Sequence, residues 1–256
     1  MDNVLDRFSL SGKKTFVTGA GRGIGRGIAH AFAQAGADVA VVDIDLESAR
    51  KVASEILQYD VRSIAIKADV SKAEDVGAMT AEIMDNFDII DIAFNNAGIN
   101  NTEKAEDVPI ENWINVLDTN LVGVFLTARA AGKIMIGNKK GSIINMGSMS
   151  GHIVCHPQAQ SAYNTSKAGV LHLTKSLASE WAGYNVRVNS LSPGFTRTEM
   201  VKEYPAELIE QWCKNIPMGR LCTIKELQCV AVFLASDASS YITGADILVD
   251  GGYTVW

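Results

Sequence analysis

Short runs of β-branched and aliphatic residues alternate with helix-length segments along nearly the whole chain, and this alternation constrains the fold more than any other feature. Residues 14–18 read as a strand, 24–35 as a small-residue helix stopped by Gly36, 38–42 as a strand and 46–57 as a helix. Residues 63–66 form a third strand, and Ser71-Lys72-Ala73-Glu74 has the pattern of a capping box that opens the next helix. Strands follow at 89–94 and 142–145; between them Trp113, Leu117, Leu121, Val124, Ala128 and Ala131 recur at helical spacing. A helix over 162–181, a strand over 186–191 and a last strand at 247–249 complete the pattern. Such an order dictates a parallel sheet with helices on both faces, because each crossover must pack back onto the sheet.

Residues 1–256 carry no repeat, linker or low-complexity tract, so one domain is expected: an α/β, Rossmann-type, doubly wound parallel sheet. Hydrophobic residues at 47% and charged residues at 20% are ordinary for a soluble globular chain. A net charge of −6 argues against nucleic acid or an anionic membrane as partner. No apolar run approaches the roughly 20 residues of a membrane span, and the acidic first residues lack the apolar core of a leader. Cys155, Cys213, Cys222 and Cys229 show no C-x-x-C spacing, and a chain of this size needs no staple. Reduced thiols and a cytoplasmic location are expected.

Ligands of doubly wound sheets lie beyond the carboxyl ends of the strands, so chemistry-bearing residues should follow strands. Thr18-Gly19-Ala20-Gly21-Arg22-Gly23-Ile24-Gly25 runs from the first strand straight into a helix. Glycines there allow a tight turn and let a pyrophosphate approach the helix N-terminus, where free N–H groups point outward. Gly19, Arg22, Gly23, Ile24 and Gly25 are the expected cradle, although a flexible glycine turn would share part of the pattern. Asp43 ends the second strand, where a carboxylate accepts bonds from an adenosine ribose and repels a 2′-phosphate. Capping the following helix is its simpler role. Asp69, beside Val70, closes the third strand; it is either a turn aspartate or a contact for the adenine edge.

Tyr163 and Lys167, four apart on a helix, project from one face. An ammonium beside a phenol is expected to lower its pKa from about 10 and fit it for proton exchange with a hydroxyl or carbonyl. Ser148 follows the fifth strand, where its hydroxyl can polarise a substrate oxygen, and Ser150 rivals it for that role. Asn120 lies on the apolar stripe of the long helix, and a buried amide there demands a specific partner. It either bonds backbone and bends the helix or anchors a water beside Lys167.

From Lys13 to Trp256 these motifs resemble the short-chain dehydrogenase/reductase family in order and spacing. The glycine loop, Asn95-Asn96-Ala97-Gly98, Asn120, Ser148, Tyr163, Lys167 and Pro193-Gly194 carry the resemblance. It implies an Asn120, Ser148, Tyr163, Lys167 tetrad, with Lys167 on the nicotinamide ribose and Tyr163 beside the ring. It also implies that Asn96, Ala97 and Gly98 line the adenosine side, and that Pro193, Gly194, Thr196 and Thr198 embrace the carboxamide. A homotetramer is implied as well, with the long helices after Ile110 and Ser161 packing on symmetry mates, and the tail Tyr253-Thr254-Val255-Trp256 is apolar enough to need a cover. One departure stands out: family members often place the serine 13 residues before the tyrosine, as Ser150 is, whereas Ser148 precedes it by 15. Ser148 keeps its offset from strand residue Asn145 and is preferred; the extra residues lengthen a substrate loop over 151–160.

The Ser-Met-Ser-Gly stretch and the Asp250-Gly251-Gly252 ending look most like the sugar-alcohol dehydrogenases of that family. The expected reaction is hydride transfer between NAD(H) and a secondary alcohol or ketone, a polyol or its ketose. Ser148, Ser150, Cys155, His156, Gln158 and Tyr163 would meet the substrate. The alternatives are a 3-oxoacyl-thioester or steroid-type reductase, and a non-catalytic dinucleotide sensor on the same fold. His152 and His156 could form a metal pair, but Gly151 and Pro157 bracket them and no carboxylate is adjacent, so no metal is expected. His30 and His172 read as helix-surface residues.

Overall fold

In the computed structural model, which describes residues 3–199, 201 and 204–255, the alternation resolves into these strands. They are β1 (Lys14–Thr18), β2 (Asp38–Asp43), β3 (Ser63–Lys67), β4 (Ile92–Asn95), β5 (Gly141–Met146), β6 (Val186–Pro193), β7 (Thr196–Arg197), β8 (Cys222–Thr223) and β9 (Asp246–Val249). The helices are α1 (Gly23–Gln34), α2 (Leu46–Ile56), α3 (Ala73–Phe87), α4 (Ile110–Leu117), α5 (Gly123–Asn138), α6 (Ser161–Trp181), α7 (Ala206–Asn215) and α8 (Ile224–Ala235).

Seven strands form one all-parallel sheet in the order β3-β2-β1-β4-β5-β6-β9, and β7 pairs with β8 apart from it. Successive residues of a strand face opposite ways, so each strand feeds two cores. Val17, Val39, Val41 and Ile144 pack under Ile28, Phe32 and Leu227 on the α1, α2 and α8 side. Phe16, Ala40, Val42 and Ile143 pack against Ile83, Phe87, Met135 and Leu177 on the α3, α5 and α6 side. The chain leaves β1 for β2 and β3, then crosses to β4 on its other flank. That reversal of direction opens a crevice beyond the carboxyl ends of β1 and β4. Among the described residues no helix is long and apolar enough to cross a membrane.

Three expectations are corrected, and two helices are added. The proposed capping box does not form: Ser71 donates its hydroxyl to Asp69 Oδ1 at 2.6 Å, and α3 starts after Lys72 without a side-chain cap. The long middle helix is interrupted by a π turn, Asp118–Val122, between α4 and α5. His30 is buried rather than on the surface, with Nε2 3.1 Å from Glu55 Oε2 and its ring edge-on to Tyr59. Helices α7 and α8 were not anticipated, although Thr223 and Glu226 form a true capping box at the start of α8. Trp256 of the apolar tail lies outside the described residues.

Candidate active site

A cavity of about 770 Å³ occupies the crevice, and every position assigned above to the cofactor borders it. The loop after β1 is shaped by close approach. Gly19 (φ 60°) has no room for a side chain, since a Cβ would stand 2.8 Å from Ala97 Cα. A Cβ on Gly25 would strike the Gly19 carbonyl oxygen. Gly23 (φ 56°) instead faces open space, leaving backbone bare toward the cavity at the start of α1.

Partners from neighbouring strand ends lock this loop. Asn96 Nδ2 donates to the Thr18 and Gly19 carbonyls at 2.9 and 3.0 Å, and Thr18 Oγ1 accepts from the Asn96 and Ala97 N–H groups. Asp43 accepts from Gly21 N–H at 2.8 Å through Oδ2 and from Asp45 N–H at 3.0 Å through Oδ1. It is therefore a loop anchor that also borders the cavity, while Asp45, not Asp43, caps α2. Asp69 stabilises its own turn through Ser71, yet it and Val70 both border the cavity. On the opposite wall Thr196 Oγ1 donates to the Gly194 carbonyl at 3.0 Å, and a side chain on Gly194 would collide with Asp250. Bare backbone at Gly23, a carboxylate at the end of β2 and a polar wall at 193–198 fit a dinucleotide laid across the strand ends.

The reacting end is built on β5 and α6. Buried Asn145 accepts from Asn95 Nδ2 at 2.8 Å and donates to Thr174 Oγ1 at 2.9 Å, tying β4, β5 and α6 together beneath the site. Lys167 is buried, with Nζ donating to the Met146 carbonyl at 2.8 Å and standing 5.6 Å from the centre of the Tyr163 ring. Burial lowers the Lys167 pKa to about 8, so the ammonium persists at neutral pH. The expected lowering of the tyrosine is corrected: burial pushes the Tyr163 phenol above its ordinary value, against the opposite pull of the Ser148 hydroxyl. Lys167 is spent on a backbone carbonyl and does not touch the phenol in this arrangement.

Ser148, rather than Ser150, is the serine whose hydroxyl acts on the Tyr163 phenol, pulling against the rise that burial causes. Ser150 turns to Cys155 and Gln160 instead, and its N–H donates to Ser148 Oγ at 3.1 Å. Asn120 sits in the π turn, its Oδ1 accepting from Ile99 N–H at 2.8 Å and its Nδ2 donating to the Ile99 carbonyl and Ser166 Oγ. These partners are the backbone after β4 and the catalytic helix, which is the bonding-and-bending role; Asn120 does not itself border the cavity.

Of the expected substrate residues, Ser150, Cys155 and Gln158 border the cavity, and His156 does not. His156 is exposed and is removed from the substrate wall. His152 is not paired with it either: its Nε2 lies 2.7 Å from Asp246 Oδ2. Sequence reasoning missed Asn100, Gln160, Tyr204 and Trp212. Trp212 stacks on Phe195 at 4.3 Å, meets Tyr204 edge-on, and donates through Nε1 to Gln158 Oε1 at 2.9 Å with that amide in its satisfied orientation. That bond joins the substrate loop to the excursion between β7 and β8.

Fold and site together define a dinucleotide-dependent oxidoreductase. Residues 19–254 match the family described as Enoyl-(Acyl carrier protein) reductase. The chain is 42% identical to galactitol 2-dehydrogenase of Rhizobium johnstonii, covering 98% of each protein. It is 41% identical to NADP-dependent mannitol dehydrogenase of Alternaria alternata, covering 98% of this chain and 95% of that one. A short-chain type dehydrogenase/reductase from Mycobacterium marinum superposes with a TM-score of 0.95 at 46% identity, over 98% of this chain and 99% of that one. The chain belongs to the short-chain dehydrogenase/reductase family.

Proposed function

We propose that this oxidoreductase interconverts a polyol and its ketose at one secondary hydroxyl, using NAD(H). One observation carries the reading: buried Ser148 and Lys167 with half-buried Tyr163 open onto a wall of amides and hydroxyls, Asn100, Ser150, Gln158 and Gln160. An acyl chain or a steroid would leave the Ser150 hydroxyl with only the Cys155 sulfur as acceptor. The galactitol and mannitol dehydrogenases among the relatives support the same substrate class.

When bound, the nicotinamide ring supplies the hydride acceptor for oxidation and the donor for reduction. Ser148 donates its hydroxyl to the reacting oxygen and holds the carbon toward the ring. In reduction the Tyr163 phenol gives its proton to the carbonyl oxygen, and in oxidation its phenolate takes the proton of the substrate hydroxyl. Lys167 keeps donors beyond the one spent on Met146. With those it would hold the nicotinamide ribose. Asn120 acts through the backbone at Ile99, which fixes the loop beside the tetrad.

Asp43 selects NAD(H), because a carboxylate at the end of β2 that borders the cavity repels a 2′-phosphate. The site works in the cytoplasm within a homotetramer. The exposed stripe Ile110, Ile114, Val122 and Phe125 along α4, the π turn and α5 suits burial against a symmetry mate. A panel of polyols with NAD⁺ and ketoses with NADH, followed by NADH absorbance, tests the reading. Turnover of at least one polyol–ketose pair is expected, and none with either coenzyme would sink it.

A further inference from the structure

One buried hydroxyl in the cavity lacks a good acceptor. Ser150 is 6% exposed, and Gln160, bordering the same cavity, is 8% exposed. The Gln160 amide is fully committed: Nε2 donates to Ser150 Oγ at 3.3 Å and Asn164 Oδ1 at 3.1 Å, and Oε1 accepts from Asn100 Nδ2 at 3.2 Å. Since Gln160 donates to Ser150, the Ser150 proton must point elsewhere. Among the described residues the only other hydrogen-bond partner of its hydroxyl is Cys155 Sγ at 3.3 Å. A thiol sulfur is a weak acceptor, and a buried hydroxyl that lacks a strong one gains when an oxygen arrives.

The placement of this donor is specific. Ser148 Oγ accepts the Ser150 N–H at 3.1 Å, so both serines lie on one tight turn at the end of β5 and border the same cavity. With Ser148 and Tyr163 on the reacting oxygen, the Ser150 hydroxyl is set beside it for a second oxygen on the neighbouring carbon. We infer that Ser150 reads the hydroxyl vicinal to the reacting carbon, and that Gln160 is a positioning residue fixing the direction of the Ser150 proton. A polyol presents such a hydroxyl beside the carbon oxidised, and its ketose presents it as an α-hydroxyketone. This inference rests on the proposed secondary-alcohol chemistry and on the assignment of Ser148 as the polarising serine.

The test uses the intact enzyme with NAD⁺ and two alcohols of equal length, 1,2-hexanediol and 2-hexanol. They share the secondary alcohol and differ only in the neighbouring hydroxyl. The unmodified enzyme should favour the diol in kcat/KM by at least tenfold, because a site built to bond a hydroxyl rejects the analogue lacking it. In Ser150→Ala the diol-to-monoalcohol ratio should fall about three- to tenfold, the range a net neutral hydrogen bond supports. Gln160→Glu keeps the side chain's shape but can no longer donate, so it draws the Ser150 proton to itself and the ratio should fall likewise. A ratio is unmoved by a general loss of activity, and NADH binding by fluorescence confirms that each variant is folded. Turnover of both alcohols with a Ser150→Ala ratio within twofold of the unmodified enzyme overturns the inference alone. A fall in Ser150→Ala with none in Gln160→Glu overturns the role of Gln160. Turnover of neither alcohol overturns the secondary-alcohol reading, and the inference with it.

Discussion

Replacing Asp43 with serine separates two jobs that one carboxylate performs. The first is electrostatic: a 2′-phosphate charge about 5 Å away is repelled by roughly 3 kcal/mol at an effective dielectric of about 20. Asp43 is only half-buried, so solvent screening cuts this to roughly 1.4 kcal/mol, or about tenfold in favour of NAD(H). The second job is structural, since Gly21 and Asp45 N–H both rest on its oxygens. A serine at position 43 leaves at least one of them without a partner, at about 0.5–1.5 kcal/mol each. Asp43→Ser should therefore weaken NAD(H) by several-fold while NADP(H) improves, so the coenzyme ratio moves toward unity. Initial rates with both coenzymes on one polyol, with Kd from NADH and NADPH fluorescence, measure both effects. An unmodified enzyme with equal or better kcat/KM for NADP⁺, as the name of the Alternaria relative implies for that protein, would refute the electrostatic role.

Three further outcomes follow from the geometry. Lys167 should titrate near pH 8 rather than 10.5 in the ligand-free enzyme, read from its Cε resonance by NMR. Because the unfolded chain holds this proton up to its higher pKa, the contribution of Lys167 to stability improves as pH rises from about 8 to 10.5; an ordinary lysine titration would contradict the burial argument. Trp212→Ala removes the stack on Phe195 and the bond to Gln158, a loss of about 3–5 kcal/mol for a buried aromatic. Limited proteolysis should then cut between residues 198 and 221 and KM for substrate should rise, whereas an unchanged cleavage pattern would separate Trp212 from closure of the site. Light scattering should give four times the 27.5 kDa chain mass, and Phe125→Glu should lower it; a monomer at micromolar concentration would refute the assembly.

Local patterns carried most of the fold. The strands after residues 14, 38, 63 and 142 were legible because their β-branched runs are short and bounded by glycine or polar turns, and the structure starts three of them at those residues and the fourth at Gly141. The glycine loop and the Tyr163/Lys167 spacing were legible because each is a contiguous motif. What escaped depends on contacts between distant segments. Asn100 and Gln160 come together across 60 positions, and neither belongs to a recognisable pattern. His156 looked like a substrate contact from its loop, but it is exposed and does not border the cavity. The phenol shift was misjudged because spacing placed Lys167 on the right face and could not reveal that Met146 takes its ammonium. Trp212 of helix α7 meets Phe195, Tyr204 and Gln158 at the cavity, none of them in the helix itself.

The central claim is that Tyr163 moves the substrate proton, and turnover of a polyol by Tyr163→Phe tests it most directly. The variant keeps the ring and loses the hydroxyl, so NADH should bind with near-unchanged Kd while kcat falls about 10²–10⁴-fold, the usual weight of general acid–base catalysis. Tyr163→Phe with near-full turnover of the same polyol would contradict the assignment.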